Sequence, residues 1–206
     1  MSKQASINRL HGVAQFVLFV TSYIPLFFLI CLKQIFENAR FFEWGGFNYE
    51  AFTIYLQKFG LSSFLLILSI LGIVGCRFLF KNLEKDSKNG DNVTVIEVSN
   101  RNSESIGYIA TYIVPFLFQS FNGWYEITAL LFLMAIIYRI YINSNLLIIN
   151  PLLSFKYSIF ELEYETTSGK KRNGLIIIKE EFLDEGDIVK IYPIGHKLFY
   201  ATQRKP

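Results

Sequence analysis

The chain has 206 residues, of which 52% are hydrophobic, 17% aromatic and only 18% charged. Because soluble domains carry roughly 25% charged residues, this composition argues against a single soluble core. The formal net charge of +3 is too small to indicate nucleic-acid binding by itself. The two cysteines, Cys31 and Cys76, have no paired spacing, so the sequence predicts neither a disulfide framework nor a metal cluster.

Four apolar runs predict four transmembrane helices, because about 20 apolar residues are needed to cross the hydrocarbon core. The first run is followed by bulky residues and has no small-residue cleavage site, so it is interpreted as a retained helix and not a signal peptide. The third run is the shortest and reaches spanning length if Ser103 caps it and Glu104 occupies its first turn. The predicted spans cover residues 12–32, 60–80, 104–121 and 124–142.

Pro25 lies inside the first predicted span, after Thr21 and Ser22. Proline frees a backbone carbonyl in a membrane helix, which hydroxyl side chains and neighbouring helices can satisfy. The pattern indicates either a static kink or a moving hinge.

The aromatic-rich segment 33–59 that follows is predicted to lie along the membrane surface, as an interfacial packing belt or as a surface that senses an external partner or bilayer deformation.

Small residues recur at three- and four-residue spacing in the second span, at Ser62, Ser69, Gly72 and Cys76. Small side chains let helix backbones approach closely in a membrane. This helix face is therefore predicted to pack against another helix of the same chain or of a neighbouring subunit.

Short β segments dominate the chain after residue 150. Four predicted strands, separated by turn-rich pieces, indicate a small SH3-like or OB-like β module. The alternating run 93–98, in the charged loop 81–103, could complete the module as a fifth strand. The predicted fold is a mainly α membrane protein, with a four-helix transmembrane domain over residues 1–149 and a cytoplasmic β domain over residues 150–206.

Positively charged residues predict the orientation of the spans. With four spans, the N-terminus, the loop 81–103 and the C-terminal tail share one side, which carries 17 of the 20 Lys and Arg residues. Both termini are therefore predicted to be cytoplasmic in a multi-pass membrane protein.

The sequence contains no arrangement that predicts catalysis, a cofactor or a metal, so we expect a protein that is not an enzyme. Lys170, Lys171 and Arg172 form the most basic cluster, at a predicted hairpin tip. The cluster is either a solvated turn or a contact for anionic lipid or an acidic partner. Tyr108 and Tyr112, one helical turn apart, fit packing better than a ligand site.

Three motifs stand out: TSYIPLF in the first span, ESIGYIATYIVPF in the third and the junction YINSNLLIINPLLSFKYSIFELE after the fourth. Together they resemble the KwaA family, the membrane component of the bacterial Kiwa anti-phage defence system. The resemblance implies a sensor of phage infection in the bacterial inner membrane and a homo-oligomer, with a tetramer expected. It also implies a cytoplasmic DNA-binding partner, KwaB, through which alone nucleic acid is contacted. The positions that match the family pattern are interpreted as architecture of the hairpin and its exit: Glu104, Tyr108, Tyr112, Pro115, Asn150 and Pro151.

Three functions from different classes follow. The first is a membrane-embedded sensor and scaffold that detects infection at the envelope and recruits or activates the cytoplasmic partner. In this hypothesis a tilt of the hairpin 102–149, kinked at Pro115, moves the β module. The alternative is an oligomeric pore or membrane-permeabilising effector, for which the spans offer no charged ring or carbonyl filter. A lipid-modifying enzyme is a third hypothesis and lacks any nucleophile or metal constellation.

Overall fold

The structure is a computed structural model that describes residues 12–41, 46–101, 123–143, 150, 152–195 and 197–203. Its long helices are α1 (Gly12–Glu37), α2 (Tyr49–Asp86) and α3 (Trp124–Asn143). Its strands are β1 (Asp91–Asn100), β2 (Ser158–Thr166), β3 (Lys171–Ile178), β4 (Ile188–Gly195) and β5 (Leu198–Gln203). Three helices of the described chain are long and apolar enough to cross a membrane. They contain three of the predicted spans, whereas the predicted span 104–121 lies outside the described residues.

Helix α2 begins well before the predicted second span. Asn48 caps its first turn, because the Asn48 side chain accepts a hydrogen bond of 2.7 Å from the Ala51 N–H. The helix then runs for 38 residues and passes through Gly60 without a break. Residues 33–37 and 49–59 of the aromatic-rich segment thus extend α1 and α2, which the predicted spans did not include. The position of the segment along the membrane surface stays a prediction.

The small residues of α2 form its contact with α1. This is the first of the two predicted arrangements, packing against a helix of the same chain. Ser62, Ser69, Gly72 and Cys76 are all buried on one face. A Cβ atom added to Gly72 would lie 2.8 Å from Val20 Cγ1, so a larger side chain there would displace α1. The close approach of the two backbones depends on these small side chains.

A polar contact between Gln34 and Ser62 adds to the α1–α2 interface near the end of α1. Gln34 is 5% exposed, and its Oε1 atom accepts hydrogen bonds from both the backbone N–H and the hydroxyl of Ser62. Polar side chains buried between membrane helices hold the helices in register, because hydrocarbon offers them no other partner.

The five strands close into a barrel in the order β1-β2-β3-β5-β4, in which β4 also pairs with β1. Strands β3 and β5 are parallel and every other pair is antiparallel. A bulge between Val95 and Glu97 bends β1, so that its first half pairs with β4 and most of its length with β2. This is a five-stranded Greek-key barrel of the OB type, one of the two predicted classes.

The barrel combines two stretches of the chain, residues 91–100 and 158–203. The predicted pairing of segment 93–98 with the C-terminal strands is confirmed, with β1 extending beyond it at both ends. The segment that contains α3 is thus inserted between the first and second strands of the barrel. The barrel interior is apolar and includes Val93, Val95, Phe160, Leu162, Tyr164, Ile176, Ile178, Leu183, Val189, Ile191 and Ala201.

Candidate functional site at the junction of helices and barrel

Three aromatic rings join the end of α2 to the barrel. Phe80 of α2 stacks on Tyr157, which precedes β2, with ring centroids 4.4 Å apart. Tyr200 of β5 lies edge-on to both, at 6.2 Å from Phe80 and 6.3 Å from Tyr157. Buried aromatic pairs of this geometry contribute about 0.5–1.5 kcal/mol each beyond the area they bury. Phe80, Tyr157 and Tyr200 are called the aromatic junction below.

The phenol groups of the aromatic junction are held neutral. Burial raises the pKa of Tyr157 to about 12, and the nearby Glu84 carboxylate adds to this effect. Burial also raises the pKa of Tyr200, and Tyr157 and Glu84 act in the same direction. Tyr200 has no exposed surface, and its hydroxyl has no hydrogen-bond partner within the described chain.

Asn150 links the chain that enters the barrel to α1. Its Nδ2 donates a hydrogen bond of 3.2 Å to the Leu18 carbonyl of α1, and its Oδ1 accepts one of 3.0 Å from the Leu152 N–H. The Asn150 carbonyl also accepts hydrogen bonds from the N–H groups of Leu153 and Ser154. Asn150 is completely buried, so these contacts fix its side chain between the first helix and the short 3-10 turn Leu153–Phe155.

One ion pair crosses the surface of the junction. Lys179, directly after β3, donates a hydrogen bond of 2.7 Å from Nζ to the Glu84 carboxylate of α2. Both side chains are more than a third exposed, so the pair contributes about 0–1 kcal/mol. It orients the barrel on α2 more than it stabilises the fold.

Helix α3 reaches the same end of the molecule through aromatic contacts with α1. The Phe19 ring lies 5.0 Å from Tyr138 and 5.4 Å from Tyr141, centroid to centroid. Tyr141 is 1% exposed and belongs to the same hydrophobic cluster as the aromatic junction. The three helices and the barrel therefore share one continuous apolar core at this end.

The predicted basic cluster lies at the other end of the barrel. Lys170 closes the turn after β2, and Lys171 and Arg172 begin β3 opposite Glu165 and Tyr164. All three basic side chains are exposed. Because β2 spans eight steps of about 3.3 Å from Ser158 to Thr166, the cluster is roughly 26 Å along the strand from the junction.

The other predicted architectural residues divide into two groups. Pro25 lies in α1, which continues unbroken around it, and the hydroxyls of Thr21 and Ser22 donate to the Val17 and Phe19 carbonyls. Whether Pro25 acts as a hinge stays a prediction. The residues outside the described part of the chain are Glu104, Tyr108, Tyr112, Pro115 and Pro151.

Sequence reasoning missed the aromatic junction. Phe80, Tyr157 and Tyr200 lie in apolar or alternating runs, and nothing in those runs distinguishes them from other core aromatics. Asn150 was singled out because it matches the family pattern at the predicted entry to the β module. Its contact with Leu18, 132 positions away in the sequence, could not be predicted from that pattern.

Comparison with known proteins identifies the family. The family model described as "Anti-phage protein KwaA" matches residues 14–200. A protein named "Kiwa protein KwaA" from Escherichia coli O55:H7 (strain RM12579 / EPEC) is 27% identical over 162 residues, which cover 77% of this chain and 83% of that relative. No solved structure matches the chain. Since the family match includes α1, α2, α3 and nearly all of the barrel, the chain belongs to the KwaA family of anti-phage proteins.

Proposed function

We propose that this anti-phage protein is a non-enzymatic sensor and scaffold of the bacterial inner membrane. In this proposal both termini and the barrel are cytoplasmic, and the helices detect disturbance of the envelope during infection. The barrel then recruits or activates a soluble DNA-binding partner, KwaB. The observation that carries the proposal is the junction, where α1 and α2 are joined to the barrel through Asn150, Phe80 and Glu84.

The junction supports mechanical coupling for a physical reason. A packed apolar interface does not deform continuously, because its side chains fit at close to crystalline density. A tilt of α1 against α2 therefore displaces the barrel or breaks the contacts of Asn150 and Phe80. Either event changes what the barrel presents to a partner.

The surface of the barrel favours a protein partner over direct contact with nucleic acid. OB-type barrels bind oligonucleotides on the face that includes their second and third strands. Here β2 carries Glu161, Glu163 and Glu165, and Glu97 of β1 lies beside Glu163 in the strand register. Arg101 pairs with Glu161 and Lys171 lies opposite Glu165, whereas Glu163 has another carboxylate as its neighbour. Carboxylates repel phosphates, so the proposal places nucleic acid on the partner.

Exposed apolar side chains on α2 and α3 support insertion in lipid and contact between copies. On α2 these include Phe64, Ile67 and Phe78, and on α3 Phe132 and Ile140. Such side chains are stable in lipid or against another copy of the chain. We propose a homo-oligomer, with a tetramer as the expected number of subunits.

Co-purification tests the docking part of the proposal. We expect KwaB to remain with the detergent-solubilised chain and to be lost from the variant Lys170→Glu/Lys171→Glu/Arg172→Glu, because charge reversal repels an acidic partner surface. The matched control is Lys85→Glu/Lys88→Glu, which reverses two exposed cations, one in the last turn of α2 and one in the 3-10 turn after it. If KwaB is retained equally by the wild type and both variants, the distal end of the barrel is not its docking site.

A further inference from the structure

A second surface lies at the end of the α1–α2 pair away from the barrel. Here an open groove of about 980 Å³ separates the end of α1 from the first turns of α2. Its walls are mainly apolar and aromatic. They include Ile35, Phe47, Phe52, Tyr55, Phe59 and Leu66. The volume is at the upper end of the roughly 300–1,000 Å³ of small-molecule sites.

Two cations lie against the ring of Phe41, which lines the groove together with Arg40. The Arg40 guanidinium carbon lies 4.9 Å from the centre of the Phe41 ring, and Lys58 Nζ lies 5.3 Å from the same centre. Neither cation forms an ion pair with an acid of the described chain. Both charges lie within 5.3 Å of the centre of this ring, so an anion at the edge of the ring is attracted by both.

The start of α2 also lines the groove, through Asn48 and Ala51. Glu50 lies in the same first turn, and its carboxylate offsets the partial positive charge of the helix N-terminus. The positive charge near the groove is therefore that of Arg40 and Lys58.

The position of the groove along α2 corresponds to the headgroup layer of a bilayer. Lys58 and Lys81 are separated by 23 positions of α2, or about 35 Å at a rise of 1.5 Å per residue. The hydrocarbon core of a bilayer is about 30 Å thick. If Lys81 lies at the interface on the barrel side, Lys58 and Arg40 reach the opposite headgroup layer. The apolar wall from Phe59 to Leu66 then descends into hydrocarbon.

We propose that this groove binds one anionic phospholipid, with its phosphate beside the Phe41 ring, where Arg40 and Lys58 attract it, and an acyl chain along Phe59 and Leu66. The proposal needs only that the helices cross a bilayer. It does not depend on the partner or on the coupling through the junction. It assigns a lipid site to the leaflet away from the barrel.

The experiment is a lipid titration of the full-length chain in detergent micelles, followed by native mass spectrometry. Phosphatidylglycerol should bind more tightly than phosphatidylethanolamine. The variants Arg40→Gln and Lys58→Gln should each weaken phosphatidylglycerol binding about fivefold, since a basic residue beside anionic lipid contributes about that much. The control variant is Lys33→Gln, because Lys33 is near the same end of α1 but pairs with Glu37 at 3.9 Å.

A second variant tests the apolar wall separately from the charges. Ser63 lines the groove, so Ser63→Phe should fill it and weaken phosphatidylglycerol binding with both cations present. Inorganic phosphate in millimolar excess should not displace the lipid, because it lacks the acyl chain. The assignment is overturned if no lipid is retained, or if phosphatidylethanolamine binds equally. It is also overturned if free phosphate competes, or if Arg40→Gln and Lys58→Gln bind phosphatidylglycerol like the control.

Discussion

The buried hydroxyl of Tyr200 lowers the stability of the junction of helices and barrel. Its ring is in edge contact with Phe80 and Tyr157, while its hydroxyl is buried with no partner in the described chain. A buried hydroxyl without a hydrogen bond costs about 1–3 kcal/mol in proteins. The ring stabilises the junction and the oxygen opposes it.

The variant Tyr200→Phe separates these two contributions. We expect it to raise the free energy of unfolding by about 1 kcal/mol, because it keeps the ring and removes the unsatisfied oxygen. Chemical unfolding of the detergent-solubilised protein measures the change. The matched control is Tyr164→Phe, which removes the hydroxyl of a buried tyrosine inside the barrel and away from the helices. A loss of more than about 1 kcal/mol in Tyr200→Phe would mean that the hydroxyl has a partner.

Asn150 illustrates what sequence shows at this scale and what it does not. Asn150 was predicted as a position of the KwaA pattern, and the proline after it predicted the end of any helix that continues from the last span. Its function as a link to Leu18 depends on α1 lying beside the entry to the barrel. The position of α1 beside the barrel entry results from tertiary packing, and no local sequence pattern indicates it.

Among the secondary-structure elements, the pairing of α1 with α2 depends on two glycines. A Cβ atom at Gly72 would lie 2.8 Å from Val20 Cγ1, and one at Gly75 would lie 2.9 Å from Val17 Cγ2. By contrast, a Cβ atom at Gly60 would meet only Leu56, at 3.9 Å. The chain thus offers a matched pair of helical glycines that differ in their surroundings.

The variants Gly72→Ala and Gly60→Ala compare the two environments. Gly72→Ala should lower the free energy of unfolding by about 1–3 kcal/mol, since extra atoms in a packed interface force side chains or backbone to move. Gly60→Ala should be neutral or slightly stabilising, because alanine favours helix over glycine. Unfolding of both variants in the same detergent gives the comparison. Equal effects would contradict the close α1–α2 contact at Gly72.

The elements differ in how well they could be predicted. The apolar runs predicted helices at 12–32, 60–80 and 124–142, because about 20 apolar residues have few alternatives to a spanning helix. The start of α2 was misjudged, since aromatic residues in segment 33–59 fit both a helix and an interfacial loop. The capping contact of Asn48 with Ala51 determines the result and depends on backbone geometry.

For the whole molecule, the barrel combines strands from both sides of an inserted segment that contains the apolar helix α3. The alternating pattern of residues 93–98 predicted a strand. Because a lone strand needs partners, its pairing with the C-terminal strands was also predictable. The order of the strands was not predictable, because a one-dimensional pattern does not specify which strand lies beside which. Because β1 follows α2 after one short 3-10 turn and β2 follows Asn150, the barrel is connected to the helical part of the chain at two points.

The comparison of Phe80→Ala with Phe78→Ala tests the coupling of helices and barrel most directly. Phe80 is 5% exposed and stacks on Tyr157, whereas Phe78, two positions earlier, is 67% exposed. Removal of a buried phenylalanine costs about 3–5 kcal/mol of local packing, so Phe80→Ala should release the barrel from α2. The measurement is phage plating efficiency on cells that carry the complete defence system, with membrane levels of each variant and co-purification of KwaB determined in parallel. We predict that Phe80→Ala loses protection while it is present in the membrane and retains KwaB, and that Phe78→Ala protects like the wild type. Full protection by Phe80→Ala at the same membrane level would contradict the coupling.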